Sequence, residues 1–245
     1  MPWDVVLIFV IVFIGAFVQG ASGFGVGLVV MGFLPMFLTV IESTLLALSL
    51  LMVTALTILF KYYKFVHFNG MISFIMSSFA ARILSFFILT NYGEMDFLQM
   101  WLGFFLIAIV IYLLVSNKVK PRAERIHFFI PILLGIMNGF FGGLFAVGGT
   151  FLVIYFLLVY KNDKYRYTAN VQAVTVMTSA FSLLLHGVSG DFTSTFPLYF
   201  AVGIAAVLLG ANLGMKWFAK LPTQMIRRFA MTLVCLAALN LIVFS

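Results

Sequence analysis

The sequence predicts an all-α polytopic membrane protein made of two inverted repeats, each a glycine-broken helical hairpin followed by three transmembrane helices. Three observations lead there. Of the 245 residues, 64% are hydrophobic and 9% charged, against about 25% charged in an ordinary soluble domain, so a water-facing surface cannot be built. Basic residues occupy only alternate connections between the apolar runs. Two glycine-rich stretches, about 120 residues apart, interrupt apolar runs that are otherwise continuous. A β-barrel is excluded because the runs lack the alternation of a barrel strand.

The first element is a hairpin over 3–40. Its middle, VQGASGFGVGLV at 18–29, holds Gly20, Gly23, Gly25 and Gly27, each of which weakens a helix by about 1 kcal/mol relative to alanine. No basic residue precedes the run, so the first helix is expected to be retained rather than cleaved. The run begins and ends on the same side, which requires it to turn back within the membrane. Hairpin arms of about 21–26 Å are expected, between a full and a half crossing. Spans follow at 42–60, 69–90 and 97–116, each near the 20 or so apolar residues that cross a bilayer. They complete a first repeat, 1–117. A basic cytoplasmic linker, 118–125, leads to the second repeat, 126–245, with a hairpin at 126–160 and spans at 168–187, 196–215 and 227–244.

Orientation comes from charge. Lys61 and Lys64, the cluster Lys118, Lys120, Arg122 and Arg125, then Lys161, Lys164 and Arg166, and finally Lys216, Lys220, Arg227 and Arg228 account for all 14 basic residues except Arg82. The connections near 39–43, 91–97 and 187–195 have none, but carry Glu42, Glu94, Asp96 and Asp191. The positive-inside rule puts the basic set in the cytoplasm and both termini outside, as expected in the inner membrane of a prokaryote. With Cys235 as its one cysteine, the chain forms no internal disulfide.

The hairpins are related. GAFVQGASGFG (15–25) lies beside GIMNGFFGG (135–143), with Gln19-Gly20 in register with Asn138-Gly139. Charge bias at matching connections is opposite, and each half crosses an odd number of times, so the halves run in opposite senses. In transporters of this plan the site lies at the midplane, among interrupted helices.

The paired motifs GASGFGVGLVVMGFLPMFL (20–38) and GFFGGLFAVGGTFLVIYFLL (139–158) resemble the TauE/SafE sulfite exporter family, also called the toluene-sulfonate uptake permeases. The resemblance covers essentially the whole chain. It implies transport of small anions such as sulfite, sulfonates or carboxylates. Pro35 fits the family pattern, whereas the second motif has Ile154 or Tyr155 at that place.

Arg82 is the leading site residue, a cation in the middle of span 69–90. Such a charge costs about 2.5–3.5 kcal/mol on insertion scales and marks a functional position by default. Its planar fork suits an oxyanion, and Ser78 shares its helix face. The structural alternative pairs Arg82 with backbone carbonyls, or lets it snorkel to an interface. Gln19, Gly20, Ser22, Gly23, Asn138, Gly139, Gly148 and Gly149 are the hairpin candidates, with Thr150 beside them. Helix N-termini at a break offer free N–H groups to an anion, while the same glycines also serve close helix packing. In 168–187, Thr175, Thr178 and Ser182 form one stripe, suited either to lining a path or to interhelical hydrogen bonds. Asn212 aligns with Arg82 as a neutral counterpart. His186 reads as an interfacial histidine before a proton carrier. Ser22 within Gly20-Ala21-Ser22-Gly23 fits a protease GxSG motif, but has no counterpart in the second repeat.

The expected function is export of sulfite, sulfonate or a related organosulfur anion by alternating access, without enzymatic activity, cofactor, metal or nucleic acid. The partners implied are the anion and membrane lipid, and a homo-oligomer is compatible with the reading. All seven acidic residues lie in loops or at span ends. An anion leaving a negative interior gains about 2.3 kcal/mol per charge per 100 mV, so efflux needs no coupling ion. An anion channel and a sodium- or proton-coupled uptake permease are the alternatives.

Overall fold

In a computed structural model, the described residues are 2–22, 25–68, 71–116, 127–160, 163–217 and, apart from 233, 237 and 240, 231–242. Among them all regular structure is helical. The first broken run gives α1 (Pro2–Ser22) and α2 (Val26–Phe33), the latter continued by a single 3₁₀ turn, Leu34–Met36. Then come α3 (Val40–Tyr62), α4 (Ile72–Tyr92) and α5 (Asp96–Ser116). The second broken run gives α6 (Phe129–Phe145) and α7 (Gly149–Val159), followed by α8 (Lys164–Ser189) and α9 (Phe196–Trp217). The described residues after 231 are also helical, within the expected last span. Residues 118–125 fall outside the described set.

Local chemistry sets the boundaries. Thr39 and Glu42 form a reciprocal capping box that starts α3: the Glu42 N–H donates to Thr39 Oγ1, and the Thr39 N–H to Glu42 Oε2, both at 3.2 Å. Asp163 accepts from the N–H groups of Tyr165 and Arg166 to start α8, which stops at Gly190 in the left-handed region, φ 79°.

Among the described residues, five helices are long and apolar enough to cross a membrane, within α1, α3, α4, α8 and α9, whereas the apolar stretches Val26–Met36 and Gly149–Val159 are short. The hairpin arms are therefore unequal, contrary to the expected similar lengths. α1, with 21 residues, extends about 32 Å, and α7, with 11 residues, about 17 Å. The first arm of each hairpin is the longer because its glycines lie inside the helix, where they serve packing rather than breaking the chain.

The closest packing joins α1 to α9 and α4 to α6, with α3 on α8 between them. Glycine permits it: a Cβ at Gly139 would stand 2.8 Å from the Ser78 α-carbon, and one at Gly20 would stand 2.5 Å from the Ala211 carbonyl oxygen. The two hairpin turns also meet, with Gly27 against the carbonyl of Ala146.

The connections sort by charge. At one end, the Ile41 N–H donates to the Gly93 carbonyl at 3.3 Å and Thr90 Oγ1 to Asp191 Oδ2 at 2.9 Å, joining the three base-free connections. At the other, the His67 N–H donates to Asn170 Oδ1 at 2.8 Å and the Phe65 ring stacks on Tyr165 at 5.2 Å. That end brings Lys61 and Lys64 beside Lys164 and Arg166.

Candidate anion site

Where the hairpin turns, α4 and α8 converge there is a cavity of about 40 Å³. By the same measure one water needs about 10–15 Å³, so the space fits a few waters or one small oxyanion. Gln19, Arg82, Asn138, Gly148, Gly149 and Thr175 line it. Half of the residues expected at the site are thus brought to one cavity.

Arg82 stands midway along α4, about 15 Å from either end, and is 3% exposed. Its Nη1 donates to Ser182 Oγ at 2.5 Å. Among the described residues no carboxylate pairs with it, and its Nε finds no acceptor. A charge taken out of water without a counter-ion costs several kcal/mol even after relaxation.

Gln19 and Asn138 do matching work at the two turns. Gln19 Oε1, on α1, accepts from the Val26 N–H at 3.1 Å and so caps α2. Asn138 Nδ2, on α6, donates to the Gly148 carbonyl at 2.9 Å. Each reaches from the first arm of its hairpin to the start of the second. Gly25 at the first turn has φ 134°, a conformation that favours glycine, and Ala146 at the second has φ 52°.

The other candidates lie elsewhere. Ser78 Oγ is tied to the Gly135 carbonyl at 2.9 Å and lies 3.2 Å from Asn138 Oδ1, so it positions Asn138 rather than facing the cavity. Gly20 and Gly139 pack against Ala211 and Ser78. Asn212 is exposed on α9 and bonds the Leu208 carbonyl of its own helix at 2.7 Å; its alignment with Arg82 does not bring it to the cavity. Gly23 and the Ser22 side chain lie outside the described residues. His186 is buried at the acidic end of α8, its Nδ1 2.6 Å from Asp191 Oδ2.

Other contributors were not chosen from sequence. Gly142 lines the cavity although it sits within the helical part of a glycine motif. Ser179 extends the wall that Thr175 and Thr178 of the sequence-read stripe form on α8, and the polar character of that span was the signal for it.

A family profile described as "Sulfite exporter TauE/SafE" matches residues 7–241. The chain is 28% identical over 167 residues to a protein of Methanocaldococcus jannaschii described as a probable membrane transporter. That alignment covers 64% of this chain and 60% of the relative. No solved structure matches the chain.

Proposed function

The chain belongs to the TauE/SafE sulfite exporter family, an integral membrane transporter family, and from that premise we propose that it exports sulfite or a similarly small organosulfur anion through the Arg82 cavity. The observation that carries this is a guanidinium 3% exposed, without a carboxylate partner among the described residues, on the wall of a cavity of about 40 Å³. A small anion supplies the missing charge, and the fork of Arg82 takes two of its oxygens.

The mechanism is alternating access between two inverted repeats, 1–117 and 126–245, joined by the linker 118–125. Packing register supports this division. Gly139 of α6 sits on Ser78 of α4 as Gly20 of α1 sits on Ala211 of α9, so the same contact recurs with the halves exchanged. In that register Met215, rather than Asn212, corresponds to Arg82, which leaves one cation at a site between otherwise similar halves. The basic loops at 61–68 and 160–166 are the cytoplasmic end, where they raise the local anion concentration. The acidic end with Glu94 and Asp191 faces outward, and both termini lie on that side. Exit toward that end follows the membrane potential.

The test is sulfite flux in proteoliposomes under an imposed potential, for wild type and Arg82→Gln. Saturable, voltage-sensitive flux that is lost in the variant supports the reading. Unsaturable flux at channel rates, or flux indifferent to Arg82, overturns it.

A further inference from the structure

We infer that the Thr150 hydroxyl, in the first turn of α7, is a substrate-selecting donor that shares one bound oxyanion with Arg82. The inference deepens the anion-transport reading above and rests on it. Thr150 is 3% exposed, lines the same cavity as Arg82, and its Oγ1 has no hydrogen-bond partner. More than about 90% of buried polar groups in folded proteins are bonded, so an orphan hydroxyl and an orphan guanidinium N–H on two residues that line one cavity call for a common acceptor.

Its position explains why Thr150 is free. Thr175 and Thr178 also line the cavity, but each bonds the carbonyl four residues back in its own helix at 2.8 Å. The residue four back from Thr150 is Ala146, which lies in the turn with left-handed geometry, outside α7. The hydroxyl therefore has no helix carbonyl to return to. It stays available for a ligand, beside a helix terminus that carries partial positive charge.

Gly142 shows that the Arg82 fork comes close to the turn that leads into α7. A methyl group there would stand 3.0 Å from Arg82 Nη2 and 3.1 Å from the Gly148 α-carbon. The guanidinium and the turn leading into α7 are thus separated only by the space that a missing side chain leaves. At Gly149 an added Cβ would meet nothing within 4 Å, so the gap opens toward the start of α7. Donors on two walls suit an anion whose charge is spread over several oxygens, with one oxygen for the hydroxyl and others for the fork. Pyramidal or tetrahedral oxyanions of sulfite size meet that description, and a bulky aromatic sulfonate exceeds the volume.

The experiment uses the purified full chain as wild type, Thr150→Val and Thr150→Ser. Sulfite flux is measured in proteoliposomes, and the sulfite-dependent rise in Tm is measured in detergent, with chloride at equal ionic strength as control. Thr150→Val keeps the shape but removes the donor. Its sulfite KM is expected to rise about tenfold or more, its sulfite-dependent Tm rise to shrink, and its Tm without sulfite to hold. Thr150→Ser is expected to stay within about twofold of wild type, since a hydroxyl remains. An unchanged KM in Thr150→Val, or an equal loss in Thr150→Ser, overturns the assignment of Thr150 while leaving the transporter reading intact. A wild type with neither flux nor a sulfite-dependent Tm rise overturns both.

Discussion

Arg82 donates to Ser182 across the contact between α4 and α8, Nη1 to Oγ at 2.5 Å. Ser182 lies one turn before His186 on α8, and His186 meets Asp191, which accepts from Thr90 of α4. The two helices are thus fastened twice, once at mid-depth and once at the acidic end. The mid-depth fastening uses a neutral hydroxyl, which orients the guanidinium without neutralising it.

That arrangement predicts opposite effects of Arg82→Gln on stability and on binding. Removing a buried cation that lacks a counter-ion relieves a desolvation cost of several kcal/mol. The Tm of the variant without anion is expected to equal or exceed that of wild type. Stabilisation by sulfite is expected to vanish. Arg82→Lys keeps the charge but loses the planar fork, so sulfite affinity should fall by about tenfold or more. A large fall in Tm for Arg82→Gln would mean that Arg82 is chiefly a structural tie.

The glycines separate into two classes with different consequences. At Gly139 an added Cβ would lie 2.8 Å from the Ser78 α-carbon, which is backbone and cannot swing aside. Gly139→Ala is expected to part α4 from α6 and cost about 1–3 kcal/mol. At Gly149 nothing stands within 4 Å, so Gly149→Ala should leave stability within about 0.5 kcal/mol of wild type. Its methyl group nevertheless enters the cavity, and sulfite flux should fall. Thermal unfolding and flux measured on both variants check the division.

This division also marks how far the sequence could be read. Apolar runs and loop charge located the membrane helices, because the bilayer imposes length and the translocation machinery imposes sign. Both polar partners of the turns, Gln19 and Asn138, stood out as polar groups inside apolar runs. The break itself was less legible. Glycine serves both chain reversal and close approach of helices, and only tertiary packing shows that Gly135, Gly139 and Gly143 lie inside α6 while Gly148 stands in the turn after it. Asn212 looked like a site residue because aligning the two halves sets it opposite Arg82, yet it satisfies itself on the Leu208 carbonyl. The approach of Gly142 to Arg82 joins residues about 60 apart in sequence, on different helices, and no local pattern encodes it.

Orientation is testable independently of transport. In a Cys235→Ala background, single cysteines at Glu94 and Ser194, both exposed, are expected to react with a membrane-impermeant thiol reagent added to intact cells. Cysteines at Lys64 and Lys164, also exposed, should react only after the membrane is opened. The reverse pattern would invert the proposed direction of the bundle, and labelling of all four from outside would break the two-ended sorting of charge.

Gln19 offers a way to occupy the site from within. Its Oε1 accepts from the Val26 N–H at 3.1 Å, and its side chain lines the cavity with Arg82. Gln19→Glu retains that acceptor and adds a carboxylate to a wall that faces an uncompensated guanidinium. The attached carboxylate then competes with the free anion at an effective concentration in the millimolar range or above. Sulfite flux should fall and the Tm without anion should rise, the signature of a site filled by its own protein. Gln19→Ala is the control: it leaves the Val26 N–H of α2 without its cap, which costs about 1–3 kcal/mol, and lowers Tm. If Gln19→Glu instead lowers Tm as Gln19→Ala does, the carboxylate has no cation to meet, and the Arg82 cavity is not the anion site.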